Sequence, residues 1–106
     1  MPSIDHLTFT TEWLAPFEVR ITVAGSIDAS NAADLQEYVL RRGANSRRLT
    51  LDLTRVDFLS TAGFSVLCTI SERCVRADVE WAVVSNPTVR RVLEICDPHV
   101  TLPQAC

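Results

Sequence analysis

The sequence contains no lysine: all ten of its basic residues are arginine, a bias that fits GC-rich coding and implies no mechanism by itself. With only three glycines as well, the chain lacks the means for a glycine-rich phosphate loop, which needs several glycines and a Gly-Lys pair. No apolar run approaches the roughly 18 residues that a membrane span requires, so direct membrane insertion is not expected. No basic residue precedes Arg20 and no continuous apolar segment opens the chain, which argues against a signal peptide and predicts a cytoplasmic protein. Net charge is −3 and the arginines are spread along the chain, largely in pairs, which speaks against a nucleic-acid partner. The four cysteines, Cys68, Cys74, Cys96 and Cys106, form no C-x-x-C pair, and the two histidines, His6 and His99, lie far apart. Neither a structural metal nor dithiol redox chemistry is expected from that spacing, and no cofactor is called for. Nothing places a base or an orienting carboxylate beside a thiol, so the cysteines read as reduced small hydrophobes, with Cys74 and Cys96 buried.

What the chain does contain is enough for one packed domain. Its 106 residues suit a single core, and 47% hydrophobic against 22% charged residues places it among globular rather than disordered chains. Ile4 to Trp13 read as a peripheral strand ended by Pro16. Phe17, Val19, Ile21 and Val23 alternate with polar neighbours as a half-buried strand that Gly25 closes. A first helix follows, with Asp28 or Ser30 able to cap it and Gly43 at its C′ position. Leu49, Leu51 and Leu53 alternate next, in a strand continuing through Val56 and Phe58. A second helix runs from about Ala62 to Arg76 with a core stripe of Gly63, Val66, Leu67, Ile70 and Cys74. Val79 to Val84 form an apolar strand, and Asn86-Pro87 signals the cap and first turn of a third helix burying Val89, Val92, Leu93 and Cys96. Val100 to Leu102 offer a short last strand or an ordered tail. The order β-β-α-β-α-β-α predicts an α/β domain: a mixed sheet of four to five strands packed with three to four helices.

The join between third strand and second helix, VDFLSTAGFSVLC, carries two adjacent hydroxyls, Ser60 and Thr61, ahead of Ala62 and Gly63. In the plainest reading the pair is an ordinary cap and Gly63 lets the helix approach the sheet closely. A nucleophile elbow would need glycine on both sides of the serine, but Phe58 and Ala62 stand there. A hydroxyl at a helix start is well placed to carry a phosphate, because free amides and the helix dipole stabilise the added charge. Phe64, one turn in and off the core stripe, is a candidate interface anchor.

VAGSIDASNAADL, LTLDLTRVDFLSTAGFSVL and NPTVRRVLEI together resemble the STAS domains of anti-sigma factor antagonists over nearly the whole chain. The resemblance implies a non-enzymatic bacterial switch protein. Its unphosphorylated form would bind an anti-sigma factor of the serine-kinase type and so release a sigma factor, and a metal-dependent phosphatase would reverse the phosphorylation. It puts Thr61 at the phosphoacceptor position, with Ser60 as the alternative, Gly63 at the family's glycine and Asp28 on the aspartate of the first motif. With Phe64 as the anchor argued from its helix position, the expected partner-binding surface is Asp28, Ser60, Thr61, Gly63 and Phe64. Two departures stand out: Ser60 replaces the aspartate that most members carry there, and Ala62 replaces a second serine. Because threonine-alanine-glycine also resembles STAS subunits of ABC-type lipid transporters, a non-catalytic subunit of that kind is the alternative.

Overall fold

The computed structural model describes residues 7–97 and 102–105, so His6, His99, Val100 and Cys106 lie outside the described residues. Five strands and three helices follow in the order β1 (Thr8–Ala15), β2 (Glu18–Ile27), α1 (Ala32–Gly43), β3 (Arg48–Leu59), α2 (Thr61–Arg76), β4 (Glu80–Val84), α3 (Pro87–Cys96) and β5 (Gln104–Ala105). They form one sheet in the spatial order β1-β2-β3-β4-β5. β1 and β2 are an antiparallel hairpin, and every other neighbouring pair is parallel. The expected mixed α/β sheet is therefore present, and its last strand comes later than the segment ending at Leu102 suggested.

One cluster holds the core. Val19, Ile21 and Val23 of β2, Leu49, Leu51 and Leu53 of β3, and Trp81 and Val83 of β4 supply its sheet side. Leu35 and Val39 of α1, Val89 and Leu93 of α3, and the whole predicted stripe of α2 supply its helix side, because residues three and four apart share one helix face. Two apolar positions depart from expectation. Phe17 is 56% exposed, because it sits in the turn after Pro16, where its carbonyl accepts the Arg47 and Arg48 amides at 2.7 and 3.1 Å. Phe58 is also exposed, and Leu59 is buried instead. The cause is a pair of bulges: the register against β2 slips once between Thr22 and Ala24 and again between Gly25 and Ser26, each adding a residue to β3. The inward positions then step by three, from Leu53 to Val56 to Leu59, because an inserted residue breaks the two-residue period. Gly25 does not close β2; it lies inside the strand with φ at 115°, a conformation that favours glycine.

Other corrections are local. Gly43 is the last residue of α1 rather than a left-handed C′ residue, and Ala44 is the cap. Cys74 is buried as expected, but Cys96 is half-buried, as is Val92, because only Val89 and Leu93 of α3 point fully into the core, with Val92 packed at its margin. The thiols of Cys68, Cys74 and Cys96 are free.

Alternate strand positions turn away from the core, and there Arg20 of β2 and Asp52 of β3 form an ion pair. The Asp52 carboxylate also accepts the Thr54 amide at 2.8 Å and the Thr54 hydroxyl at 2.6 Å. Burial pushes this carboxyl up, but the Thr54 hydroxyl and the Arg20 guanidinium, helped by the Thr54 amide, outweigh it and hold it below the usual range. A depressed folded value means that the stabilisation is complete above the unfolded value, near pH 4, and fades as pH falls through the folded one. Asp52→Asn should therefore cost about 1.5 kcal/mol at pH 7 and less at pH 2, measured as urea midpoints at the two pH values. An equal loss at both would mean that packing, not charge, holds Asp52.

Candidate functional site

Because β2, β3 and β4 are parallel, each delivers its C-terminal end, and the start of the following helix, to the same edge of the sheet. This edge gathers the residues singled out in the sequence. Ile27 is paired with Leu59 across β2 and β3, and the Ser60 amide donates to the Ile27 carbonyl at 2.9 Å. Asp28 and Thr61 are thus the residues that leave this tied pair of strand ends.

Helix α2 begins at Thr61, one residue earlier than its apolar spacing suggested. Ser60 is its cap: extended backbone, with the side-chain oxygen accepting the Gly63 amide at 3.2 Å. The Phe64 amide reaches the Ser60 carbonyl at 3.0 Å. That leaves the amides of Thr61 and Ala62 without a partner among the described residues, as expected at a helix start. The two hydroxyls therefore differ. Ser60 is half-buried and committed to the cap, whereas Thr61 is exposed and its hydroxyl takes part in no hydrogen bond among the described residues. No acidic residue lies in the first turn of α2 to oppose an added anion.

Gly63 makes this placement possible. A Cβ on it would lie 2.5 Å from Leu59 Cδ1 and 2.7 Å from Ile27 Cγ2, so the helix start is pressed onto the two strand ends. Phe64 is half-buried and packs against the core cluster.

Asp28 does not cap α1, and neither does Ser30. The helix starts at Ala32, its cap position is Asn31, and no side chain makes a capping hydrogen bond there. Instead the Asp28 carboxylate turns onto Ser30, accepting its amide at 2.9 Å and its hydroxyl at 2.5 Å. The Ser30 hydroxyl, then its amide, hold the Asp28 carboxyl below the usual range. The buried Asn31 side chain braces the loop, accepting the Asp28 amide and donating to the Ser26 carbonyl, both at 2.9 Å.

Asn86 has a role that spacing alone could not show. Its Oδ1 accepts the Val89 amide at 2.8 Å, the cap that Asn-Pro announced. Its amide nitrogen also donates to the carbonyls of Thr54 at 3.0 Å and Val56 at 2.8 Å, with Leu53 at 3.5 Å. These carbonyls lie on β3 just beyond its last pairing with β4, Asp52 with Val84. The contact depends on where β4 stops short of the end of β3, which neither strand's pattern shows until the two are paired.

The described residues include no cluster of histidine, cysteine and acidic side chains able to hold a metal ion, and no helix among them is long and apolar enough to cross a membrane. This edge offers hydroxyls, free amides and one carboxylate, an arrangement suited to recognition and to carrying a charge.

Known proteins resemble this chain in sequence and in fold. Osmosensory protein A of Mycobacterium tuberculosis is 39% identical over 69 residues, 65% of this chain and 44% of that protein. Anti-sigma-F factor antagonist RsfB of the same species is 33% identical over 72 residues, 67% of this chain and 58% of that protein. The matched regions thus span about half the length of these relatives. Among solved structures, an anti-sigma factor antagonist from Mycobacterium paratuberculosis superposes with a TM-score of 0.84 at 24% identity, covering 98% of this chain and 89% of that one. The anti-sigma factor antagonist SpoIIAA in its unphosphorylated form gives a TM-score of 0.73 at 16% identity, covering 93% and 89%. At such identities the likeness is one of fold. The STAS domain model matches residues 16–99, which include all three helices and every strand end of the edge described above. The chain belongs to the STAS domain family.

Proposed function

We propose that this chain is a non-enzymatic anti-sigma factor antagonist that binds its anti-sigma factor through the edge formed by Asp28, Ser60, Thr61, Gly63 and Phe64. Binding in the unphosphorylated form frees a sigma factor, and phosphate on Thr61 breaks the complex. The partner is an anti-sigma factor of the serine-kinase type, a metal-dependent phosphatase resets the switch, and the cycle runs in the cytoplasm. One observation carries this reading: Thr61 presents an uncommitted, exposed hydroxyl at the first position of α2 beside two free amides, while the neighbouring Ser60 hydroxyl is occupied by its cap. The relatives named anti-sigma factor antagonists support it. None of the relatives named above is named as a transporter subunit, so the threonine-alanine-glycine run stands alone in support of that alternative.

A phosphate there adds up to two negative charges and three acceptor oxygens within reach of the helix amides, so the domain need not refold. A partner fitted to the bare helix end then meets charge and bulk. Thr61→Glu, with about half the charge and the wrong shape, should weaken partner binding about tenfold, and Thr61→Ala should keep it. The test is to incubate the protein with its captured anti-sigma factor and ATP, locate phosphate by mass spectrometry, and compare affinities of the two variants. Phosphate on Ser60 would move the switch by one residue. Absence of phosphate with an active kinase present would end the phospho-switch, and equal affinity of both variants would remove Thr61 from the interface.

A further inference from the structure

The opposite ends of α1 and α2 enclose a second feature, roughly 20 Å along α2 from Thr61 by its rise of about 1.5 Å per residue. It is a cleft of about 370 Å³ between the two last helical turns. Val39, Leu49 and Cys74 form a buried floor, and Leu40 and Val79 form half-buried walls. Arg73 and Arg76, one turn apart, stand at its rim. No lining residue is acidic. The acidic residues nearest in sequence, Glu72 and Asp78, line adjoining depressions, the first of which also takes in Arg76. Neither arginine takes part in an ion pair among the described residues.

A cleft of this size with an apolar interior and few polar groups has the make-up of a small-ligand site. Last-turn arginines also answer the negative end of the helix dipole, but that role leaves most of the five donors on each guanidinium free. Two such forks over an apolar floor suit a ligand with a carboxylate head and an unbranched apolar chain, since guanidinium groups bind carboxylates bidentately. A neutral chain would leave the rim unused, and a small anion would leave the floor empty.

We infer that the cleft between the C-terminal ends of α1 and α2 binds a medium-chain carboxylate, its chain on Leu49 and Cys74 and its head on Arg73 and Arg76. The site is independent of the Thr61 edge. Cys74 is a built-in reporter: it lies on the floor, burial pushes its thiol up, and access to it runs through the cleft.

The experiment uses decanoate below its micelle-forming concentration, with decanol and acetate as comparisons. At ten times its dissociation constant, decanoate should raise the thermal midpoint by roughly 5 °C and slow Cys74 labelling about tenfold. Labelling of Cys68, exposed and outside the cleft, should not change. Arg73→Gln combined with Arg76→Gln should weaken decanoate binding at least tenfold and leave the fold intact, since both side chains are exposed. No midpoint shift and no protection of Cys74 would overturn the site. Decanol binding as well as decanoate would overturn the role of the arginines, and acetate binding as well would overturn that of the apolar floor.

Discussion

Replacing Gly63 by alanine should destabilise the domain by about 3 kcal/mol, although the same change in an unhindered helix gains up to about 1 kcal/mol. The added methyl would stand 2.5 Å from Leu59 Cδ1 and 2.7 Å from Ile27 Cγ2, well inside ordinary contact. Both neighbours are buried, Ile27 at 0% and Leu59 at 2% exposure, and they end the two strands on which the helix start rests. Neither can turn aside without disturbing the core, so the helix must lift and loosen the Ser60 amide from Ile27. Gly43→Ala is the control: its methyl would meet Leu49 Cδ2 at 3.5 Å, an ordinary contact, and should leave stability nearly unchanged or slightly raised. Urea midpoints of the two variants decide the matter. An unchanged or raised midpoint for Gly63→Ala would mean that the helix start is not held against the strands.

Asn86→Ala should cost about 2–3 kcal/mol, more than a helix cap alone is worth. Loss of the cap to Val89 accounts for about 1 kcal/mol. The remainder comes from the carbonyls of Thr54 and Val56, which lie beyond the end of the β3–β4 ladder and which the Asn86 amide satisfies. Asn86→Ser separates the two parts, since serine can cap but has no amide to reach β3. It should recover roughly 1 kcal/mol and no more. Full recovery in Asn86→Ser would show that the carbonyl contacts contribute nothing. Hydrogen exchange at Val89 and along β3 would tell the two losses apart.

The contrast between Leu53 and Phe58 shows what could be read from the sequence and where reading stopped. Leu49, Leu51 and Leu53 lie on a regular stretch of β3, so alternation finds the buried face directly. Phe58 was carried along by that period, but a bulge is a property of two strands together and one strand's pattern cannot register it. The stripe of α2 was fully legible because a helix sets its own period through local hydrogen bonds. Phe17 misled because its alternation runs one residue into a turn whose geometry depends on the amides of Arg47 and Arg48, 30 residues on. At the edge, the Ser60-Thr61-Ala62-Gly63 order announced a capped helix start. Which hydroxyl would be spent on the cap depended on where α2 begins, and periodicity missed that by one residue. Asn31 stayed hidden because its bonds serve the loop from Ser26 to Asp28 rather than the helix it precedes.

The parallel arrangement of β2, β3 and β4 also separates what can drift from what cannot. Ala29, Ser30, Thr61, Pro87 and Thr88 are exposed where the chain passes from strand to helix, while Ile27, Leu59, Gly63 and Val89 beside them are buried. Under the function proposed above, paralogues of this domain in one cell can diverge in partner choice through a few loop-tip substitutions, leaving the scaffold untouched. Insulation between parallel signalling circuits then becomes a matter of surface spelling, open to rapid evolutionary change at little cost in stability.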